Sequence, residues 1–148
     1  MNQQLIEEIN IDLSSMEIIA SDVETLLTEV ADSTPNNIHK TALGGLAAQF
    51  YNGIENIIKR IHKNYNIPLP KGDDWHISIL ERFSNESEID FPIKFSNDLL
   101  EKLTNYRRFR HYFFQGYSHN LNWEILTNGV KDIKEVLEQF KQELVEKE

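Results

Sequence analysis

Apolar residues recur every three or four positions along most of this chain, and that spacing constrains it to helices. Over residues 3–32, Leu5, Ile9, Leu13, Met16, Ile19, Val23, Leu26 and Val30 fall on one side of a helix. Over 37–65, Leu43, Leu46, Ala47, Phe50, Ile54, Ile57, Ile58 and Ile61 do the same. Pro35, inside "DSTPNN", separates the two with turn and cap residues. A last segment from Asn122 places Trp123, Leu126, Val130, Ile133, Leu137, Phe140 and Leu144 in one row, with Gly129 as its weak point. No stretch alternates with the period of two that a half-buried strand needs. "ALGGLAA" in the second segment supplies small residues for close helix contact.

Between these segments the punctuation changes. Pro68, Pro70 and Gly72 mark a loop, and Asp73 or Asp74 is placed to cap a short helix, "WHISILERF". "SNESEIDFPIK" reads as a second loop. Ser96 or Asn97 then caps a further helix that continues through "RRFRHYFFQGYSHN", residues 107–120. The pattern predicts an all-α, up-and-down bundle of four long helices plus a short one, in a single domain over 1–148.

Composition narrows the function. The chain has no cysteine, which excludes disulfides, thiolate zinc sites and cysteine nucleophiles. It begins "MNQQLIEEIN", without the basic start and apolar run of a leader, and no apolar stretch approaches a membrane span. The expected setting is cytoplasmic, with no membrane partner. A formal charge of −9 argues against general nucleic-acid binding. The charge is uneven, however. Residues 1–39 contain no Lys or Arg, whereas Arg107, Arg108 and Arg110 form the densest basic patch. Such a patch is either a structural partner for acids or a small anion site.

Winding residues 97–120 as one helix at about 100° per residue separates two faces. Leu99, Leu103, Tyr106, Phe109, Phe113, Phe114 and Tyr117 share the core-facing arc, with Arg110 in its middle. A buried guanidinium needs acceptors, and Glu55, on the polar flank of the second helix, is the candidate partner. Thr104, Arg108, His111, Gln115 and His119 form the opposite, polar strip.

Three stretches, "FYNGIENIIKRI" (50–61), "LPKGDDWHISIL" (69–80) and "YRRFRHYFFQGYSHNLNWE" (106–124), resemble the HepT-like branch of the HEPN superfamily. That superfamily includes metal-independent ribonucleases of toxin–antitoxin systems. The resemblance implies an Arg, a polar residue, a spacer, a His, and a Tyr two residues later. Arg110, His111 and Tyr117 match; Gln115 stands where the histidine belongs. The resemblance makes Arg110, His111, Gln115 and Tyr117 the catalytic candidates and Arg107, Arg108 and His119 the substrate-binding ones. Arginine would hold the scissile phosphate while histidine moves a proton. Glutamine hydrogen-bonds but cannot carry a proton near neutral pH. His111 or His119, one turn to either side, could substitute.

The resemblance also implies a homodimer through the motif helix, RNA as substrate, and a nucleotidyltransferase antitoxin that modifies Tyr117. On an ideal helix Arg110 and Gln115 lie about 140° apart, so a symmetry-related helix or a bend near Gly116 is needed to bring them together. The alternative is a non-catalytic bundle that binds nucleotide, RNA or a partner protein. No HExxH, Glu-x-x-His, P-loop or Gly-x-Ser-x-Gly motif occurs, so neither metal nor cofactor is expected. His39 is expected to be solvated at a helix start, and His76 to pack a loop onto a helix. The acids of the first helix are expected to face solvent.

Overall fold

The structure is a computed structural model that describes residues 1–146. Six α-helices account for most of it: α1 (Gln3–Val30), α2 (Asn37–Asn64), α3 (Trp75–Glu81), α4 (Asn97–Gln115), α5 (Trp123–Val130) and α6 (Ile133–Glu143). A 3-10 turn, Ser118–Asn120, follows α4. No strand occurs among the described residues.

Local chemistry starts the long helices where the sequence offers caps. The Asn2 side chain accepts from the Leu5 N–H, and the Ser96 hydroxyl accepts from the Leu99 N–H. At α2, the Asn36 side chain accepts from the His39 N–H. His39 Nδ1 in turn accepts from the Asn36 N–H, closing a capping box. His39 is therefore a half-buried cap rather than a solvated residue.

α2 is the central element, packed on α1 and α4 and flanked by α5 and the 3-10 turn. Its predicted row is buried as expected, except that Leu46 is half-buried and Tyr51 joins the core. Gly44 meets the Phe113 ring of α4 where a Cβ would clash, whereas Gly45 faces open space. Of the two glycines, only Gly44 serves close helix contact. The acids of α1 are not all free: Asp12 and Glu8 bind Arg60 of α2 at 2.7 and 3.2 Å.

The segment after Asn122 keeps its predicted core row but breaks into α5 and α6 at Lys131–Asp132. Two contacts sit at the break. A Cβ on Gly129 would strike the Phe109 ring, and the Tyr106 hydroxyl donates to Asp132 at 2.8 Å. Burial first, and the Asp132 carboxylate next, hold the Tyr106 phenol far above its usual range, so it stays a neutral donor.

The loop between α3 and α4 is irregular, as its sequence suggests, but firmly seated. Phe91, Ile93 and Phe95 are buried, and Phe83 stacks on Phe91 with centroids 4.5 Å apart. This loop fixes where α3 and α4 stand relative to each other, and their opposed surfaces form the cleft described next.

Candidate functional site

α4 forms one wall of a cleft of about 640 Å³, and the turn into α3 forms the other. Arg107, Arg108, Arg110 and His111 line the first wall; Asp73, Asp74, His76 and Ile77 line the second. The cleft thus gathers the basic patch and one histidine of the motif.

Behind it, Tyr51 and Glu55 rise one turn apart from α2 into the protein interior. Glu55 was expected on a polar flank, but it is 4% exposed. Its Oε2 lies 2.6 Å from His76 Nδ1, and its Oε1 lies 3.9 Å from Arg110 Nη1. One buried carboxylate therefore serves two cleft residues from different elements. His76 is also held from the side. Its ring lies 3.7 Å from that of Trp75, whose other neighbour is the Lys59 ammonium, 4.8 Å from the indole centroid.

This interior is short of acceptors. Arg107 Nε and Arg110 Nε are buried without hydrogen-bond partners from the described residues, and Tyr51 Oη makes no well-formed bond beyond a weak contact with Glu55. Each such atom costs roughly 1–3 kcal/mol. Burial first, and the Glu55 charge next, push the Tyr51 phenol well above its ordinary range, against the opposing pull of Arg107 and Arg110. It is a neutral phenol at any physiological pH. No ion pair to Arg107 or Arg108 occurs among the described residues.

The continuous helix expected through residue 120 ends at Gln115. Gly116 is extended, with φ −134° and ψ 177°, and Tyr117 follows outside the helix. Glycine favours this exit because it stabilises a helix least of the non-proline residues. The turn is then tied back: the Asn122 N–H donates to the Tyr112 hydroxyl, and the Thr41 and Ser118 hydroxyls are bonded to each other.

Four expectations for this stretch do not hold. Tyr117 is 75% exposed and does not share a face with Arg110. Phe114 is 66% exposed instead of buried, its ring 5.7 Å from the Arg110 guanidinium. Arg110 itself is half-buried, at the edge of the core rather than inside it. His119 leaves the polar strip and stacks on Tyr117. Gln115 remains one turn from His111, and its Nε2 lies 2.7 Å from His111 Nε2. Gln115, Tyr117 and His119 do not line the cleft, so the structure splits the predicted constellation into a cleft group and a helix-end group.

Sequence reasoning missed His76, Tyr51 and the Asp73–Asp74 pair. A signal for His76 was present in "GDDWH", one of the three stretches that carry the family resemblance. His76 packs on Trp75 as expected, but it also faces the cleft and binds Glu55. Among the described residues, no three His, Asp or Glu side chains converge as metal ligands.

An all-helical bundle with arginine and histidine along a cleft-lining helix has the features the HEPN resemblance implied. The family model described as "HepT-like protein" matches residues 42–147, most of the chain, and the chain belongs to that family. No curated protein and no solved structure matches it.

Proposed function

We propose that the chain is a metal-independent endoribonuclease of the toxin type, which grips RNA phosphate in the cleft between α3 and α4. The observation that carries this reading is the convergence of Arg107, Arg108, Arg110 and His111 on one cleft in a protein of charge −9. Arg107 and Arg108 keep their charge unpaired there, and guanidinium forks match phosphate oxygens. Asp73 and Asp74 on the opposite wall limit the site to few phosphates, which suits local cutting better than broad coating of nucleic acid.

The reading takes two chains meeting along α4, with the exposed Phe114 in the contact. It takes a small nucleotidyltransferase as antitoxin, for which the exposed Tyr117 is accessible. A second reading, RNA binding without cutting, is favoured by one residue. Gln115 cannot shuttle a proton, and it is bonded to His111.

The test is cleavage of structured RNA in EDTA by the wild type, Arg110→Ala and Gln115→His. Cutting by the wild type that disappears in Arg110→Ala supports the ribonuclease. Binding without cutting, with activity appearing only in Gln115→His, supports the second reading. Absence of RNA binding in all three overturns both.

A further inference from the structure

With glutamine at position 115, cutting in the cleft requires another side chain to take the proton of the ribose 2′-hydroxyl. The histidines are not equivalent in this respect. His39 is occupied as a cap, and His62 is buried among Phe83 and Phe91. His119 stacks on Tyr117 away from the cleft, and His111 Nε2 is engaged by Gln115.

His76 is arranged differently. Its Nδ1 lies 2.6 Å from the Oε2 of Glu55, whose side chain is 5% exposed and therefore held in place. An ionised carboxylate only accepts, so in the neutral imidazole Nδ1 carries the hydrogen and the lone pair is on Nε2. That nitrogen has no hydrogen-bond partner among the described residues, and the ring lines the cleft facing the arginine wall. A buried acid that fixes the tautomer and direction of an imidazole is the arrangement that prepares a histidine to accept a proton.

We propose that His76, oriented by Glu55, is the general base of this site and supplies what Gln115 cannot. This inference rests on the ribonuclease reading. His76 Nε2 takes the 2′-hydroxyl proton as the O2′–P bond forms. The P–O5′ bond breaks, and the leaving 5′-oxygen takes a proton from water. The products are a 2′,3′-cyclic phosphate and a 5′-hydroxyl, and His76 returns its proton to solvent. No oxidant, reductant or metal enters the balance. Arg107 and Arg110 meet the charge that develops on the phosphate oxygens. Glu55 is a positioning residue with two partners, so it sets the base and the Arg110 clamp against each other.

The charged and titratable groups around His76 come from three elements. They are Glu55 and Lys59 of α2, Asp73 and Asp74 of its own turn, and Arg107, Arg108, Arg110 and His111 of α4. Because these could also shape a pH profile, the decisive readouts are the split between binding and cutting, and chemical rescue.

The experiment measures binding of a 2′-O-methyl oligonucleotide by fluorescence anisotropy, and cleavage of the matching RNA in EDTA. Wild type, His76→Gln and His76→Ala are compared with and without added imidazole, and far-UV circular dichroism checks folding. The expected result is binding within about twofold of wild type in both variants. Cleavage falls roughly 10²–10⁴-fold, and free imidazole restores part of it in His76→Ala. Glu55→Gln keeps a weaker activity, because an amide still accepts from Nδ1. Cutting by a folded His76→Gln within about threefold of wild type overturns the proposal. So does joint loss of binding and cutting in both folded variants, which marks a structural role. A wild type that binds but does not cut sinks this inference and leaves RNA binding standing. A wild type that does not bind sinks the parent reading with it.

Discussion

One face of α2 passes through two opposite environments within four turns. His62 meets rings: it stands edge-on to the stacked Phe83 and Phe91, its Nδ1 donating to the Ile58 carbonyl at 2.8 Å, and Phe95 and Phe140 extend the cluster. One to two turns earlier, Tyr51 and Glu55 meet arginines, with the Nε donors of Arg107 and Arg110 left unpartnered. The aromatic region is packed for stability, although it too leaves one buried polar atom, His62 Nε2, without a partner. The polar region retains charge and unmet donors beside a cleft, a combination that proteins keep at working sites more often than in plain cores. What separates the two regions is charge beside a cleft, since each leaves buried polar atoms unpartnered.

Substitutions can break or sharpen this contrast. The largest effect is expected at the aromatic region. Phe83→Ala empties a fully buried site that touches His62, Phe91 and Phe95, and should destabilise by about 3–5 kcal/mol in urea unfolding. Next is Gly129→Ala, which forces a methyl group into the Phe109 ring. A loss of about 1–3 kcal/mol is expected, with α4 displaced from α5.

At the polar region the effect should shrink. Tyr51→Phe removes a buried hydroxyl that makes no well-formed hydrogen bond and only a weak contact with the Glu55 carboxylate, so stability should stay within about 1 kcal/mol of wild type. A larger loss in that variant would show the hydroxyl to be firmly bonded and would weaken the contrast.

The smallest effect is the pH response of His62. Burial, its largest influence, lowers its basicity, and Arg82 adds to this against the Ile58 hydrogen bond. A proton then binds the unfolded chain more readily than the folded one. The penalty is absent above the unfolded value of about 6.5 and grows as pH falls through it. Urea midpoints at pH 7.5 and 5.5 should therefore separate more in the wild type than in His62→Met.

The helical periodicity was legible because it depends on neighbours three and four apart, and Leu5 through Val30 and Leu43 through Ile61 are buried or half-buried much as that spacing implies. The family was legible from three short stretches. The cleft was half legible: the arginines and His111 stand out as a cluster, whereas Glu55 and His76 are 21 positions apart and meet only through the fold. The wheel through residues 107–120 misplaced Tyr117 and His119 because it assumed a helix that Gly116 ends, and it misplaced Phe114 because that part of α4 faces the cleft rather than another helix.

Residue spacing and local chemistry determined the helical segments, the buried rows, the caps before α2 and α4, and the glutamine that stands where a histidine was expected. These follow from local spacing and from side-chain chemistry that no fold alters. Spacing and local chemistry did not give the end of α4, the α5–α6 break, or the start of α3, where Asp74 makes no side-chain cap bond. The tertiary structure alone decided which polar groups are buried together, because burial depends on what other elements bring to the same place. It set Glu55 between His76 and Arg110, buried Tyr51 beside that carboxylate, and divided the motif between a cleft and a helix end.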